Sequence, residues 1–481
     1  MNKALKALIS SNLRNQQGVT VILVAVLLSV LLGFTALAID LSHLYVVRNE
    51  LQNSADAGAL AGARFLYNDD GAAVNPGANL IAYNAARDNR ALAITGVVPV
   101  DVNWSGGNGG DVQRGHWSFT TRTFTANDYT GAPVLWGRSW QELDADPSFI
   151  NAVRVVARRQ ATPAASFFAR IFGYQNFQLS AEAVAYLGFA GSLMPEEADQ
   201  PIAICIQSIL DVNNNYNCNI GRMLNSGSDP NTANTGAWTN FTQPCQTANV
   251  PSLRPLICGS GNAESLGYFE GIGTVNGVQD TIFRDLESCW RGWADSNSDG
   301  DPDRPWEITL PVIDCPRNAI SNCATLLTAV TVKVVWVQRD NPGYSQAPRT
   351  MVDKNEKGEV IRDWPRSSDL AMDVNRLGAD VFVGKTSSDI FPTFPEGTTV
   401  GDVIGNPPRV SASEEDKGRV RWASFVNAFQ LKNVGPEDSA PYASFAFKSI
   451  YFLPSCTPHP PAGDTGGPNT GILAKIPKLV K

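Results

Sequence analysis

Residues 18–40, GVTVILVAVLLSVLLGFTALAID, run without a Gly-Pro break into residues 41–65, LSHLYVVRNELQNSADAGALAGARF. Between Arg14 and Asp40 stand 25 residues without a charge, more than the roughly 20 that a helix needs to cross a hydrocarbon core. Lys3, Lys6 and Arg14 precede the run and no acid does, so the positive-inside rule places residues 1–14 in the cytoplasm and the body from Asp40 onward outside. A cleavable signal peptide is the competing reading, because TALA offers small residues at Ala36 and Ala38. Two features favour a retained anchor. The run is longer than a signal-peptide centre of about 7 to 15 residues. Helical spacing also continues past it, through Leu41, Leu44, Arg48, Leu51, Ala55, Gly58, Gly62 and Phe65. One helix from residue 19 to 66 would be roughly 70 Å long, with residues 15–39 in contact with lipid and the rest forming a stalk.

On the stalk, Ala55, Ala59 and Ala63 fall on one row and Gly58 and Gly62 on the next. Small residues four apart let another backbone approach closely. That row serves either the chain's own exterior domain or, through Ala55, Gly58, Ala59 and Gly62, a neighbouring copy in a homo-oligomer.

A chain of 481 residues exceeds one ordinary domain. Its net charge is −8, and setting aside Lys3, Lys6 and Arg14 leaves about −11 for the rest. An acidic body repels phosphate backbones, which argues against nucleic acid as a partner. All eight cysteines, Cys205, Cys218, Cys245, Cys258, Cys289, Cys315, Cys323 and Cys456, lie well after the apolar run. That placement predicts an exported region with up to four disulfides. With no C-x-x-C and only His43, His116 and His459, zinc is the weaker reading, and the spacing assigns no pairing.

Gly18 before the apolar run, Asp40 at its end, Tyr45, and then Leu51, Gln52, Ala55, Asp56, Ala57 and Ala61 in LQNSADAGALAGA form a specific pattern. It resembles the N-terminal module of TadG-like proteins of the bacterial tight-adherence (Flp) pilus system. In that family one helix is both membrane anchor and first element of the exterior part. The pilins of the system are cut after a Gly and carry Glu at the fifth position beyond it. Here that position, counted from Gly18, is Leu23, a departure from ordinary pilin processing.

Further on, VVPVDVNW and HWSFTTRTF read as strands around SGGNGG, and NAVRVVARRQA as another. TPAASFFARIFG predicts a helix with Thr162 as N-cap, Pro163 at the first position and Gly173 as its close. FQLSAEAVAYLG predicts a following strand. The order of strand, Phe-Phe helix and closing strand in residues 153–185 also resembles the TadG-like exterior domain. The resemblance implies a single-pass protein of the bacterial inner membrane that works with other pilus-assembly or envelope proteins, and it implies no catalytic residues.

From residue 201 the composition turns rich in Cys, Asn, Gly and Pro. PIAICI, WEITLPVI, LLTAVTVKVVWVQ, WASFVNAFQLKNV and YASFAFKSIYFLP read as strands. The expectation is an α+β chain with five parts. These are a transmembrane and stalk helix over 1–66, an α+β domain over 67–190, a linker over 191–200, a mostly β, disulfide-stapled domain over 201–460, and a flexible tail over 461–481.

One loop, DSNSDGDPD, spaces the oxygen side chains of Asp295, Asn297, Asp299, Asp301 and Asp303 around Gly300. This is the first half of an EF-hand loop and a candidate calcium site; its twelfth position is Trp306, where that loop needs Glu. No cofactor is required by any other motif. VGKTS at residues 383–387 lacks the earlier Gly of a phosphate loop, because Ala379 stands there. No G-x-S-x-G occurs. The expected function is a non-enzymatic, membrane-anchored part of pilus assembly or display. The rival is an anchored or secreted hydrolase or carbohydrate-binding protein, with Trp290, Trp293 and Trp306 beside the acidic loop as its candidate aromatics.

Overall fold

The computed structural model describes residues 3–481 apart from 70, 72, 94–95, 132–134, 136–137, 207–208, 210–235, 276–279, 316–319, 340–342, 356, 383–390, 432–448, 455 and 461–462. The first element, α1 (Lys3–Arg64), is one helix of 62 residues, continuous from residue 19 to 64 as the unbroken spacing there predicts and extending back to Lys3 beyond it. It is followed by α2 (Ala78–Asp88), the hairpin β1 (Arg90–Ala93) and β2 (Gly96–Pro99), β3 (Val112–Ser118) and β4 (Thr123–Ala126). Then come α3 (Trp140–Asp144), started by a Ser139–Glu142 capping box, and the long strands β5 (Ala152–Ala165) and β6 (Asn176–Tyr186).

Next come β7 (Phe189–Ala190), β8 (Ser192–Leu193), β9 (Ile202–Cys205), β10 (Gly236–Thr239), α4 (Val250–Leu253), β11 (Leu266–Gly267), β12 (Gly271–Val275) and α5 (Asp280–Ala294). They lead to β13 (Trp306–Ile313), β14 (Cys323–Gln338), β15 (Met351–Lys354), β16 (Val360–Trp364), α6 (Ser367–Leu370), α7 (Val374–Val381), α8 (Val400–Ile404) and α9 (Glu414–Phe429). The described chain closes with β17 (Ser449–Phe452), β18 (Thr457–Pro458), β19 (Thr465–Gly467) and β20 (Lys478–Leu479).

Two sheets organise the molecule. The first has the order β20-β6-β5-β3-β4 and the second the order β12-β10-β9-β13-β14-β17, with β18 also on β14. In the first, α1 beyond Asp40 lies with α2 against β5 and β6, and fully buried Ala55, Ala59, Ala63, Ala78, Ala82, Ala86, Val153 and Val155 fill the space between. The second sheet carries on one side the helices α5, α7 and α9 and a core of large rings, among them Trp238, Trp290, Trp336 and Trp422. Its other side buries Cys205, Ile313, Cys315 and Leu326.

The α+β class stands, and three local expectations are corrected. WASFVNAFQLKNV is not a strand: up to Phe429 it is the end of α9, which Ser413 caps by accepting from the Asp416 amide, with Glu414, Glu415 and Asp416 in the first turn. A run so fully buried on all sides has no helical stripe to read. In YASFAFKSIYFLP, residues 449–452 form β17 and 442–448 lie outside the described residues. The helix expected from Thr162 is absent because β5 continues to Ala165, pairing Ala164 with Phe177 and Ala165 with Asn176; only the 3₁₀ turn Ala169–Phe172 remains, closed by Gly173 at φ 93°. Residues 463–481 are not a free tail. β19 pairs with β7 and β20 with β6, and Leu473 and Ala474 are buried in the α1 core.

Disulfides join Cys205 to Cys315, Cys245 to Cys323 and Cys258 to Cys289. Cys456 is also disulfide-bonded, and Cys218 lies outside the described residues.

Candidate membrane-anchoring site

The two ends of α1 have opposite surroundings. From Val19 to Ile39 its large apolar side chains are exposed on every side. This stretch contains the most apolar window of a helix long and apolar enough to cross a membrane, with a mean hydropathy of 2.8 and none of the window buried. A core helix of a soluble domain would show the reverse. From Asp40 onward one side turns inward, with Asp40, Val47, Leu51, Ser54, Ala55, Ala59, Ala63 and Leu66 buried. The ends of the expected stripe, Leu41 and Phe65, point outward instead.

Asp40 marks the change. Its carboxylate accepts the backbone N–H groups of Phe167 at 2.6 Å, Phe168 at 3.0 Å and Ala169 at 2.6 Å. These amides open the 3₁₀ turn at the end of the β5–β6 hairpin and would otherwise lack acceptors, so a side chain from α1 caps a turn more than 120 residues away. One turn along, the His43 ring meets the edge of Phe167 with centroids 5.2 Å apart. The LQNSADA stretch makes comparable ties. Gln52 Nε2 donates to Asp56 Oδ1 at 2.8 Å and to the Glu182 carbonyl at 3.2 Å. Ser54 Oγ donates to the Ala86 carbonyl at 2.7 Å.

The small-residue row is already occupied. A Cβ on Gly58 would lie 2.8 Å from Ala86 Cβ and 2.9 Å from the Ala82 carbonyl oxygen; one on Gly62 would lie 2.7 Å from Ala82 Cβ and 2.9 Å from Val153 Cγ1. The glycines therefore let α1 touch α2 and β5. Ala55, Gly58, Ala59 and Gly62 face the chain's own domain, so the expectation of a homo-oligomer contact through them is corrected.

The acidic loop closes on itself. Asp295 accepts from the amides of Asp299 and Gly300, Asn297 from that of Asp299, Asp299 from that of Asp301, and Asp303 from Ser296. Asp301 is paired with Arg349 at 3.1 Å. Among the described residues no group of three or more His, Cys, Asp or Glu is arranged to hold a metal ion. Residues 383–387 lie outside the described residues.

Of the three tryptophans beside the loop, Trp290 is wholly buried, while Trp293 and Trp306 line a cavity of about 330 Å³ together with Asp199, Arg304 and Glu307. Burial pushes the Asp199 carboxyl up, only partly opposed by the N–H of Thr309 and the nearby His459.

Sequence reasoning singled out Asp40 but not its partners, because nothing local links it to residues 167–169. The signal available was an aromatic-dense segment, SFFARIFGY, in a region expected to face water.

Residues 18–64 match the family model described as "Putative Flp pilus-assembly TadE/G-like", and residues 61–185 match that described as "Putative Tad-like Flp pilus-assembly". No curated protein and no solved structure matches the chain. The apolar helix and the domain it enters, residues 18–185, are thus similar to TadE/G-like and Tad-like Flp pilus-assembly proteins, and the chain carries near its N-terminus a helix long and apolar enough to cross a membrane.

Proposed function

We propose that the protein is a non-enzymatic component of tight-adherence pilus assembly or surface display, fixed in the bacterial inner membrane by α1 with residues 1–14 in the cytoplasm and the two-sheet body outside. The observation that carries this reading is the continuity of α1. The helix that leaves the lipid is the same helix that builds the core of the pilus-family domain, so a force on the body is transmitted to the anchor without a hinge. The body offers surfaces to other pilus or envelope proteins, and its disulfides suit an oxidising exterior. Mass spectrometry of the mature N-terminus from fractionated cells tests the reading. An intact start in the inner-membrane fraction is expected, and a start at Val19 or Ile39 overturns it. A second reading, a carbohydrate-binding or hydrolytic role, is favoured by the cavity that sets Trp293 and Trp306 beside Asp199 and Glu307. Glycan binding or cleavage that is lost in Trp293→Ala would establish it.

A further inference from the structure

The end of the β5–β6 hairpin is apolar and bare. Ile171, Phe172 and Tyr174 are 75, 80 and 63% exposed, and Phe168 is 37% exposed. Four large apolar or aromatic side chains within seven residues form a patch of the kind that marks an interaction site.

Its place in the fold says what it meets. β5 runs down along α1: Val153 stands against Gly62, Val155 against Gly58, and Phe167, Phe168 and Ala169 are held by Asp40. The strand thus delivers its tip to the level at which the apolar run of α1 ends. An uncharged run of 25 residues measures roughly 38 Å as a helix, against about 30 Å of hydrocarbon, which puts Asp40 among the headgroups. Ile39 and Leu41, exposed on α1 beside it, continue the apolar surface at that height. Arg170 is exposed in the same turn, and its Nε donates to the Phe167 carbonyl at 2.8 Å, which holds a cation where lipid phosphates lie. Aromatic rings with a polar tip and an adjacent Arg are the residues that settle at a bilayer interface.

We propose that residues 168–174 lodge in the outer interfacial layer of the membrane that α1 crosses, with Ile171 and Phe172 at the acyl boundary and Tyr174 and Arg170 among the headgroups. The body is then held at two points, which fixes its tilt and its rotation about α1; Asp40 is the clamp that keeps the second point at the height of the first. This inference rests on α1 being the anchor.

Among the described residues no cysteine is free, so single added cysteines can be labelled in the full-length protein. Phe172→Cys, Leu28→Cys in the middle of the apolar run, and Thr121→Cys in the exposed β3–β4 turn each receive an environment-sensitive fluorophore. The β3–β4 turn lies at the opposite end of the sheet, because β3 pairs antiparallel to β5 with Gly115 opposite Ala152. The labelled proteins are placed in vesicles of phosphatidylcholine and phosphatidylglycerol that carry nitroxides either near the headgroup or deep in the acyl chain. The expected result is that the Phe172→Cys label loses most of its emission to the shallow nitroxide, the Leu28→Cys label to the deep one, and the Thr121→Cys label to neither. Quenching at Leu28→Cys without quenching at Phe172→Cys overturns the interfacial tip and leaves the anchor standing. That would be the outcome if a second copy or another protein covered the patch. Absence of quenching at Leu28→Cys overturns the anchor and the tip together.

Discussion

Where α1 meets α2 and the first sheet, the core is built from alanine, valine and two glycines. Under the second sheet it is built from Trp238, Trp290, Trp336, Trp364, Trp422, Phe425 and Tyr451, all essentially without exposure. The first core brings backbones close together. The second fills a wider space with rings, as in the group formed by Trp336, Trp422 and Tyr451, whose centroids lie 4.6 to 5.2 Å apart. The cross-links differ in the same way. The second region has three described disulfides, whereas the first has no cysteine and is tied by Asp40, Ser54 and Tyr67, whose hydroxyl donates to the Ile150 carbonyl at 2.6 Å. The difference predicts opposite sensitivities: one region fails when volume is added, the other when it is removed.

The largest effect is expected from Trp422→Ala, about 3 to 5 kcal/mol from lost burial and the cavity left behind. Hydrogen exchange followed by mass spectrometry should show lost protection in β14, α9 and β17 while α1 and α2 keep theirs; equal loss in both regions would break the comparison. Replacing Cys205 and Cys315 by Ala opens a link with a sequence separation of 110, and about 2 to 4 kcal/mol should go from the same region. Asp40→Ala takes the acceptor from three amides, each bonded to a charged group in a tie of about 1.5 to 3 kcal/mol. Because those amides can turn to water once the turn loosens, the net loss is set at about 2 to 3 kcal/mol. Exchange should accelerate first at residues 167–169. Gly62→Ala places a methyl group where Ala82 and Val153 already are, costing about 1 to 3 kcal/mol. Ala82→Gly in the same chain should recover part of that loss; no recovery would mean that the cost lies elsewhere than in the α1–α2 approach.

What the sequence made legible follows from the same contrast. Residues 18–65 were readable because the length of the apolar run, charge asymmetry and small-residue spacing are all local properties of one helix, and the small residues Ala55, Gly58, Ala59 and Gly62 proved to be those that pack against α2 and the sheet. WEITLPVI was readable because a buried strand flanked by charged and turn residues leaves a short apolar block. α9 was not, since Trp422, Ala423, Ser424, Phe425 and Val426 are buried one after another and erase the helical period. Two features of the site depend on contacts between distant residues and left no local trace. One is the capping of residues 167–169 by Asp40. The other is the return of residues 463–481, where Leu473 enters the α1 core and the Lys481 carbonyl accepts the Val184 amide at 2.8 Å. The linear division into domain, linker, domain and tail missed that β20 completes a sheet begun some 360 residues earlier.

The smallest effect concerns acid, and it separates the regions by sign. Asp144 ends α3 and accepts from the amides of Phe119 at 2.6 Å and Thr120 at 3.1 Å and from Ser118 Oγ at 3.0 Å, tying the β3–β4 turn to the helix. Burial works to raise its carboxyl, but the hydrogen bonds from Thr120, Phe119 and Ser118 outweigh it and hold it below the usual aspartate value. A group depressed in the folded state gives stability that is present above the unfolded value, about 3.9, and is lost as pH falls through the folded one. Asp199 is the reverse case: burial raises it, so its penalty is absent below the unfolded value and is felt in full once pH passes the folded one. Lowering the pH from about 6 toward 3 should therefore loosen the turn around Phe119 and Thr120 while tightening β13 around Thr309, measured as exchange protection corrected for intrinsic rates. Asp144→Asn should flatten the first change and leave the second. If β13 instead loosened in parallel with the turn, Asp199 would be ionised in the fold, and the cavity it lines beside Trp293 would be a charged cleft open to water.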